Sequence, residues 1–148
     1  MLADDIRLNR LALKLSFKQL AGSWEWVEVE TAEAALEKLR DPSEGFGLVI
    51  MDENFDKAPS LDRNSTPMKG SEAIQILRTE IEPSENIDRI PVISCSGYSD
   101  ASNPEHSSAL REAGADVVWG KPLPQKHEMK AMLQELLRPL ANNQVISS

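Results

Sequence analysis

Three short, almost unbroken apolar runs constrain this chain more than any other feature: residues 47–51 (GLVIM), 90–93 (IPVI) and 115–119 (ADVVW). A strand with one wet face alternates apolar and polar residues, whereas a strand covered on both faces does not. The runs therefore predict buried strands of a parallel sheet. Residues 24–30 (WEWVEVE) mix glutamate with large apolar side chains and predict an edge strand with one wetter side. Residues 1–3 (MLA) form a fifth, very short run that ends in Asp4-Asp5.

Between these runs the spacing turns helical. Residues 7–20 place Leu8, Leu11, Ala12 and Leu15 on one stripe, and Thr31 is suited to cap a helix reaching Arg40, with Glu33 in its first turn. Residues 71–81 carry Ile74, Leu77 and Ile81, and residues 104–113 read as a helix stopped by Gly114. Residues 125–140 carry Met129, Met132, Leu133, Leu136 and Leu137 on one face. Strand then helix, five times over, predicts a single α/β domain, a (βα)5 doubly wound parallel sheet with helices on both faces. The domain is expected over residues 1–140, with 141–148 as a fraying tail. The 53–69 loop, with Pro59 and Pro67, is longer than such connections usually are and reads as a mobile insertion beside the third strand.

The chain has 148 residues and a formal charge of −8, a balance that would repel nucleic-acid phosphates. Cys95 is the single cysteine, so an internal disulfide is excluded and a reducing compartment is expected. No leader pattern opens the chain, and no apolar run approaches the roughly 18 residues needed to cross a bilayer. A cytoplasmic protein with no membrane partner is the expectation.

In open α/β sheets, ligands bind beyond the carboxyl ends of the strands. Asp4-Asp5 follow the first strand, Asp52 the third, Cys95-Ser96-Gly97 the fourth, and Gly120-Lys121-Pro122 the fifth. If the sheet closes as predicted, carboxylates, a hydroxyl and an ammonium gather at one rim. Unpaired carboxylates there would raise one another's pKa, and Mg²⁺, which takes carboxylate, water and phosphate oxygens, would relieve that. Lys121 offers a point charge and Ser96 a donor for phosphoryl oxygens. An aspartate is a competent nucleophile toward phosphorus, and phosphoryl transfer mainly requires positioning and charge neutralisation.

Several motifs, in order along nearly the whole chain, resemble the CheY-like receiver domains of two-component response regulators, particularly those of hybrid histidine kinases. Leu2-Ala3-Asp4-Asp5 with Asn9-Arg10 resembles their opening, and Leu48 to Asn54 their phosphoacceptor strand. Met68-Lys69-Gly70 is similar to the turn before their third helix, and Pro91 to Gly97 to the strand ending in a switch Ser or Thr. Ala113-Gly114-Ala115-Asp116 and Lys121-Pro122 complete the series. The resemblance implies a flavodoxin-like strand order of 2-1-3-4-5. It implies Mg²⁺ held by Asp5, Asp52, the backbone carbonyl of Asn54 and, directly or through water, Asp4. It further implies that Asp52 accepts the phosphoryl group, that Ser96 and Lys121 contact its oxygens, and that the Lys121-Pro122 bond is cis. The implied partners are a histidine kinase or histidine phosphotransfer protein as donor and a protein that reads the output, through the fourth helix, fifth strand and fifth helix. Any enzymatic activity would be the domain's own phosphorylation and slow dephosphorylation.

The sequence departs from that pattern in three places. Fewer apolar residues precede the acidic pair than the family has, which implies a truncated start or a short first strand of reduced stability; the segment from Asp52 to Gly70 is roughly ten residues longer than usual, and Val118 stands where an aromatic switch residue is expected. Trp119 or Tyr98 are the candidates to replace it. A module on the same fold that binds partners without switching is the alternative reading. An aspartyl phosphatase is disfavoured because Asn54 stands where such enzymes carry a second Asp. Taken singly, Asp4-Asp5 also fit a helix cap, Ser96 a turn, Lys121 a solvated strand exit, Cys95 a small buried hydrophobe, and His106 and His127 the surface. The three tryptophans read as packing residues.

Overall fold

The computed structural model describes residues 1–56, 64–97 and 103–146. The apolar runs become β3 (Val49–Asp52), β4 (Val92–Ser96) and β5 (Val117–Gly120), paired in parallel with Val49 opposite Val92 and Ile93 opposite Val117. Each strand begins later than its apolar run and continues into polar residues, because partner pairing rather than hydropathy sets its ends. Asp52 thus lies opposite Cys95, inside the ladder. With β1 (Leu2–Ala3) and β2 (Glu28–Val29) the sheet has the order β2-β1-β3-β4-β5, as expected.

The sheet reverses direction at β1, and β1 is only two residues long. It is nonetheless paired on both sides, with Leu2 opposite Glu28 and Ile50. Its brevity explains why the predicted strand over 24–30 shrinks to Glu28–Val29, since an edge strand can pair only with what its neighbour offers. Trp24 and Trp26 leave the ladder and meet the ring of Phe17 edge-on, at centroid distances of 5.6 and 5.3 Å.

The helices are α1 (Arg7–Ala21), α2 (Ala32–Leu39), α3 (Gly70–Ile76, continuing through a π turn at Leu77–Ile81 to Glu82–Ser84), α4 (Pro104–Glu112) and α5 (Lys126–Ile146). Thr31 caps α2 as predicted, its hydroxyl accepting the Ala34 N–H at 3.1 Å. The widened turn in α3 lies just before Pro83, which has no N–H to give and whose ring crowds the preceding turn. The final helix runs to Ile146, past the boundary expected at residue 140.

Strand alternation sorts the core into two layers. Ala3, Val49, Met51 and Val92 face α2 and α3, while Leu2, Ile50, Ile93, Cys95 and Trp119 face α1 and α5. One expectation reverses here. The stripe of Leu8, Leu11 and Leu15 on α1 points to solvent, 73%, 48% and 53% exposed, and the buried residues of that helix are Arg10, Leu13 and Phe17. Two apolar stripes of helical spacing run along this segment, and periodicity cannot say which looks inward. The tryptophans around Phe17 decide it.

Gly70 opens α3 against the end of β3 so closely that a Cβ there would sit 1.9 Å from the Asp52 carbonyl oxygen. A methyl group cannot be accommodated unless the helix retreats. Gly70→Ala is expected to lose roughly 2–4 kcal/mol in denaturant unfolding. Gly47→Ala, where a Cβ meets nothing within 4 Å, is expected to change stability by less than about 1 kcal/mol.

Candidate active site

The carboxyl ends of β1, β3, β4 and β5 deliver Asp4-Asp5, Asp52, Ser96 and Lys121 to one rim. Asp4, Asp5 and Asp52 each offer a carboxylate oxygen within 4.8 Å of the others. The Lys121 ammonium stands between two of them, 2.9 Å from Asp52 Oδ1 and 3.2 Å from Asp4 Oδ2. Residues separated by more than a hundred positions in sequence thus share one charge cluster, as the strand-end argument predicts.

Each carboxylate is held by its own local contacts. Asp4 accepts the Ile6 N–H at 2.8 Å and the Asn9 side-chain amide at 3.2 and 3.3 Å, and its backbone carbonyl takes a bond from Arg10 at 2.6 Å. Arg10 is itself paired with Glu28 at 2.9 Å and Glu30 at 3.4 Å. Asp5 accepts the Asp56 N–H at 2.8 Å, tying the loop after β3 to the loop after β1. Asp52 accepts the Glu53 N–H at 2.8 Å.

Glu53 is a residue the sequence reading passed over. Its buried carboxylate takes the Ser71 N–H and hydroxyl, both at 2.8 Å, and its carbonyl takes the Gly70 N–H at 3.0 Å. It is therefore the clasp that closes the long loop onto the start of α3. At the loop's other side, the Met68 N–H bonds Glu33 at 3.1 Å. The described flanks of the 53–69 loop are pinned, and residues 57–63 lie outside the described residues. Asn54 is exposed beside the buried anchor Phe55.

Ser96 is fully buried, and its hydroxyl lies 3.1 Å from His106 Nε2. His106 is half-buried and touches the site, so the surface reading is corrected, whereas His127 is exposed. No sequence signal pairs these two residues, because the contact forms only when α4, packed on β5, brings His106 to the end of β4. Cys95 is 1% exposed and burial pushes its thiol up to about 12, which suits packing and not nucleophilic chemistry. The Lys121-Pro122 bond is cis. Val118 is half-buried against the α2–α3 layer, Trp119 is fully buried against the α1–α5 layer, and Tyr98 lies outside the described residues.

Burial dominates the electrostatics of Asp52, pushing its pKa up to about 6 even though the Lys121 bond and charge pull it down. Burial works to lower Lys121, but the adjoining carboxylates outweigh it and hold the ammonium above its usual range. Because Asp52 binds its proton more tightly in the folded state, its ionised form weakens the fold progressively as pH rises from about 4 to about 6. Asp52→Asn is therefore expected to raise stability by about 1–3 kcal/mol at pH 7 and by far less at pH 4. Denaturant titrations at the two pH values check this, and an equal gain at both would show that the Asp52 charge is not the cause.

No family model matches this sequence, and no curated protein matches it. Solved structures do. The signal receiver domain of a putative LuxO repressor from Vibrio parahaemolyticus superposes with a TM-score of 0.69 at 16% identity, covering 99% of this chain and 95% of its own. The beryllofluoride-activated DrrB receiver gives 0.64 at 20%, covering 93% and 94%. The receiver of sensor histidine kinase PA1611 from Pseudomonas aeruginosa, with magnesium coordinated in its active-site cleft, gives 0.64 at 18%, covering 92% and 93%. Across essentially its whole length, this chain has the fold of the CheY-like receiver domains of response regulators.

Proposed function

We propose that this protein is a phospho-receiver of a two-component phosphorelay, taking a phosphoryl group from a phosphohistidine donor onto Asp52 in a Mg²⁺-dependent reaction in the cytoplasm. The observation that carries the reading is the charge cluster itself. Three carboxylates crowd one rim, the Lys121 ammonium lies between two of them, and burial already strains Asp52. Such a site favours a cation, and its donor set of carboxylate oxygens suits a hard dication. Asp5, Asp52, the Asn54 backbone carbonyl and Asp4 would hold Mg²⁺, which when bound supplies positive charge to the carboxylates and the phosphoryl oxygens.

The protein's own groups then have distinct tasks. An Asp52 carboxylate oxygen attacks phosphorus, the donor's P–N bond breaks, and its imidazole leaves with the electron pair. Lys121 is already seated beside the attacking carboxylate and gives its charge to a phosphoryl oxygen. Ser96, buried at the end of β4, donates a hydrogen bond to another. Asn9 and Arg10 keep Asp4 in place, and the Glu53 clasp keeps the β3 end closed.

The exposed stripe of Leu8, Leu11 and Leu15 on α1 begins just beyond Asp5 and carries Arg7 and Lys18 at its margins. An apolar helix face leading directly to the acceptor rim suits a histidine kinase or histidine phosphotransfer protein that must bring its imidazole to Asp52. For output, a groove of about 700 Å³ lies between the amino ends of β4 and β5 and helix α5, lined by Pro91, Val117, Met132, Leu136 and Pro139. Among the described residues, no helix is long and apolar enough to cross a membrane. Val118 favours one second reading, in which the domain binds a partner without switching. That reading predicts equal partner affinity with and without a phosphoryl mimic.

Incubation with a small-molecule phosphodonor in Mg²⁺ is expected to add one phosphoryl group to the wild type and none to Asp52→Asn, read by intact mass. Equal labelling of the two proteins defeats the proposal. Leu11→Glu is expected to slow transfer from a phosphohistidine protein by roughly tenfold and to leave uptake from the small donor unchanged. Slowing of both reactions would remove α1 as the docking face.

A further inference from the structure

Two backbone N–H groups at the start of α3 find their acceptors on a residue far back in the chain. The first N–H groups of a helix have no acceptor within it. Here the Glu53 carbonyl takes the Gly70 N–H at 3.0 Å, and one Glu53 carboxylate oxygen takes the Ser71 N–H at 2.8 Å. The other carboxylate oxygen takes the Ser71 hydroxyl, also at 2.8 Å. Glu53 is 4% exposed, so this fork is made away from water, where an unpaired oxygen is strongly disfavoured. Glu53 thus caps α3 from the end of the strand that carries Asp52.

The same residue is held on its other side. Its N–H faces Asp52 Oδ1 at 2.8 Å and the Cys95 carbonyl at 3.2 Å. With its N–H, carbonyl and side chain all engaged, the Glu53 backbone cannot rotate without breaking one of these bonds. Two residues on, Phe55 is 5% exposed and packs in the α2–α3 layer, and the Asp56 N–H bonds Asp5 at 2.8 Å. Asn54 is itself exposed, yet its backbone lies between neighbours tied to Asp52 on one side and to Asp5 on the other.

Resting on the receiver reading above, in which the Asn54 carbonyl joins Asp5 and Asp52 around the cation, we infer that Glu53 is a positioning residue of that cation site, acting through its fork to Ser71. It is not a ligand in this arrangement, since both of its carboxylate oxygens are engaged with Ser71. What it governs is how much of the 53–56 segment has to be ordered when a cation binds. A rim already in place binds more tightly than one that must first be assembled, and contacts behind the ligands set much of a metal's affinity. Linkage makes the effect mutual, so a clasp that favours the cation is tightened by it.

A Mg²⁺ titration of the full chain, followed through backbone amide resonances, tests this. Ser71→Ala is expected to weaken Mg²⁺ binding roughly three- to tenfold and Glu53→Ala by about tenfold or more, the scale of contacts that orient metal ligands. Ser71→Thr keeps the hydroxyl, and Glu53→Gln keeps a side chain that accepts the Ser71 N–H and donates to its hydroxyl, so both are expected within about threefold of the wild type. Leu133→Val loosens the opposite α1–α5 layer and should leave the affinity unchanged, which separates placement from loss of stability. In the wild type, hydrogen exchange at the Gly70 and Ser71 amides is expected to slow when Mg²⁺ is added. Where Glu53→Ala fails to fold, Ser71→Ala against Ser71→Thr decides. A folded Ser71→Ala that binds Mg²⁺ as tightly as the wild type overturns this inference and leaves the receiver reading standing. So does a Glu53→Gln as weak as Glu53→Ala, which would make the effect one of charge. A wild type that binds no Mg²⁺ overturns both.

Discussion

The Lys121 ammonium between Asp52 and Asp4 is the interaction on which the rest of this molecule depends. Carboxylates gathered in a partly dry rim repel one another and each loses hydration. One ammonium in contact with two of them, at 2.9 and 3.2 Å, makes the arrangement tolerable without making it comfortable. Asp52 remains a buried acid whose ionised form is disfavoured. The sheet is what makes the pairing possible, since it brings the ends of β3 and β5 to either side of β4 and the end of β1 next to β3.

The supporting contacts follow from that constraint. A carboxylate under such strain would turn away if nothing held it. Asp4 is accordingly fixed by the Ile6 N–H, the Asn9 amide and the Arg10 bond to its carbonyl, and Arg10 is in turn held by glutamates of the β2 segment. The two-residue β1 is enough because these polar contacts extend the order of the strand beyond its ladder. Arg78 does comparable work on the opposite side of the sheet, joining the π turn of α3 to the Ile90 and Gly114 carbonyls and to Asp116.

What the sequence disclosed, and what it withheld, divides along the range of the interactions. Continuous runs at 47–51, 90–93 and 115–119 announced strands covered on both faces, and the residues after them announced the rim, because both signals are local. Thr31 as a cap and Gly114 as a helix stop were legible for the same reason. The inward face of α1 was not, since Leu8-Leu11-Leu15 and Leu13-Phe17-Leu20 have equivalent spacing and only the tertiary aromatic cluster separates them. The length of β2 depended on β1, and the roles of Glu53 and His106 depended on partners 18 and 10 residues away. A glutamate after an aspartate reads as one more acid until its hydrogen bonds are seen.

The Glu53 clasp has a consequence for the architecture of the whole face. Glu53 meets Gly70 and Ser71 at the neck of the connection, and Asp56 and Met68 are each anchored just inside it. The entropy of closing a loop rises only slowly with its length, and here the closure is made by the neck. The contacts that hold the end of β3 are thereby made at the two ends of the connection. The domain has, in effect, a fastened collar beside Asp52, so the place of that carboxylate is fixed by residues at the two ends of the connection.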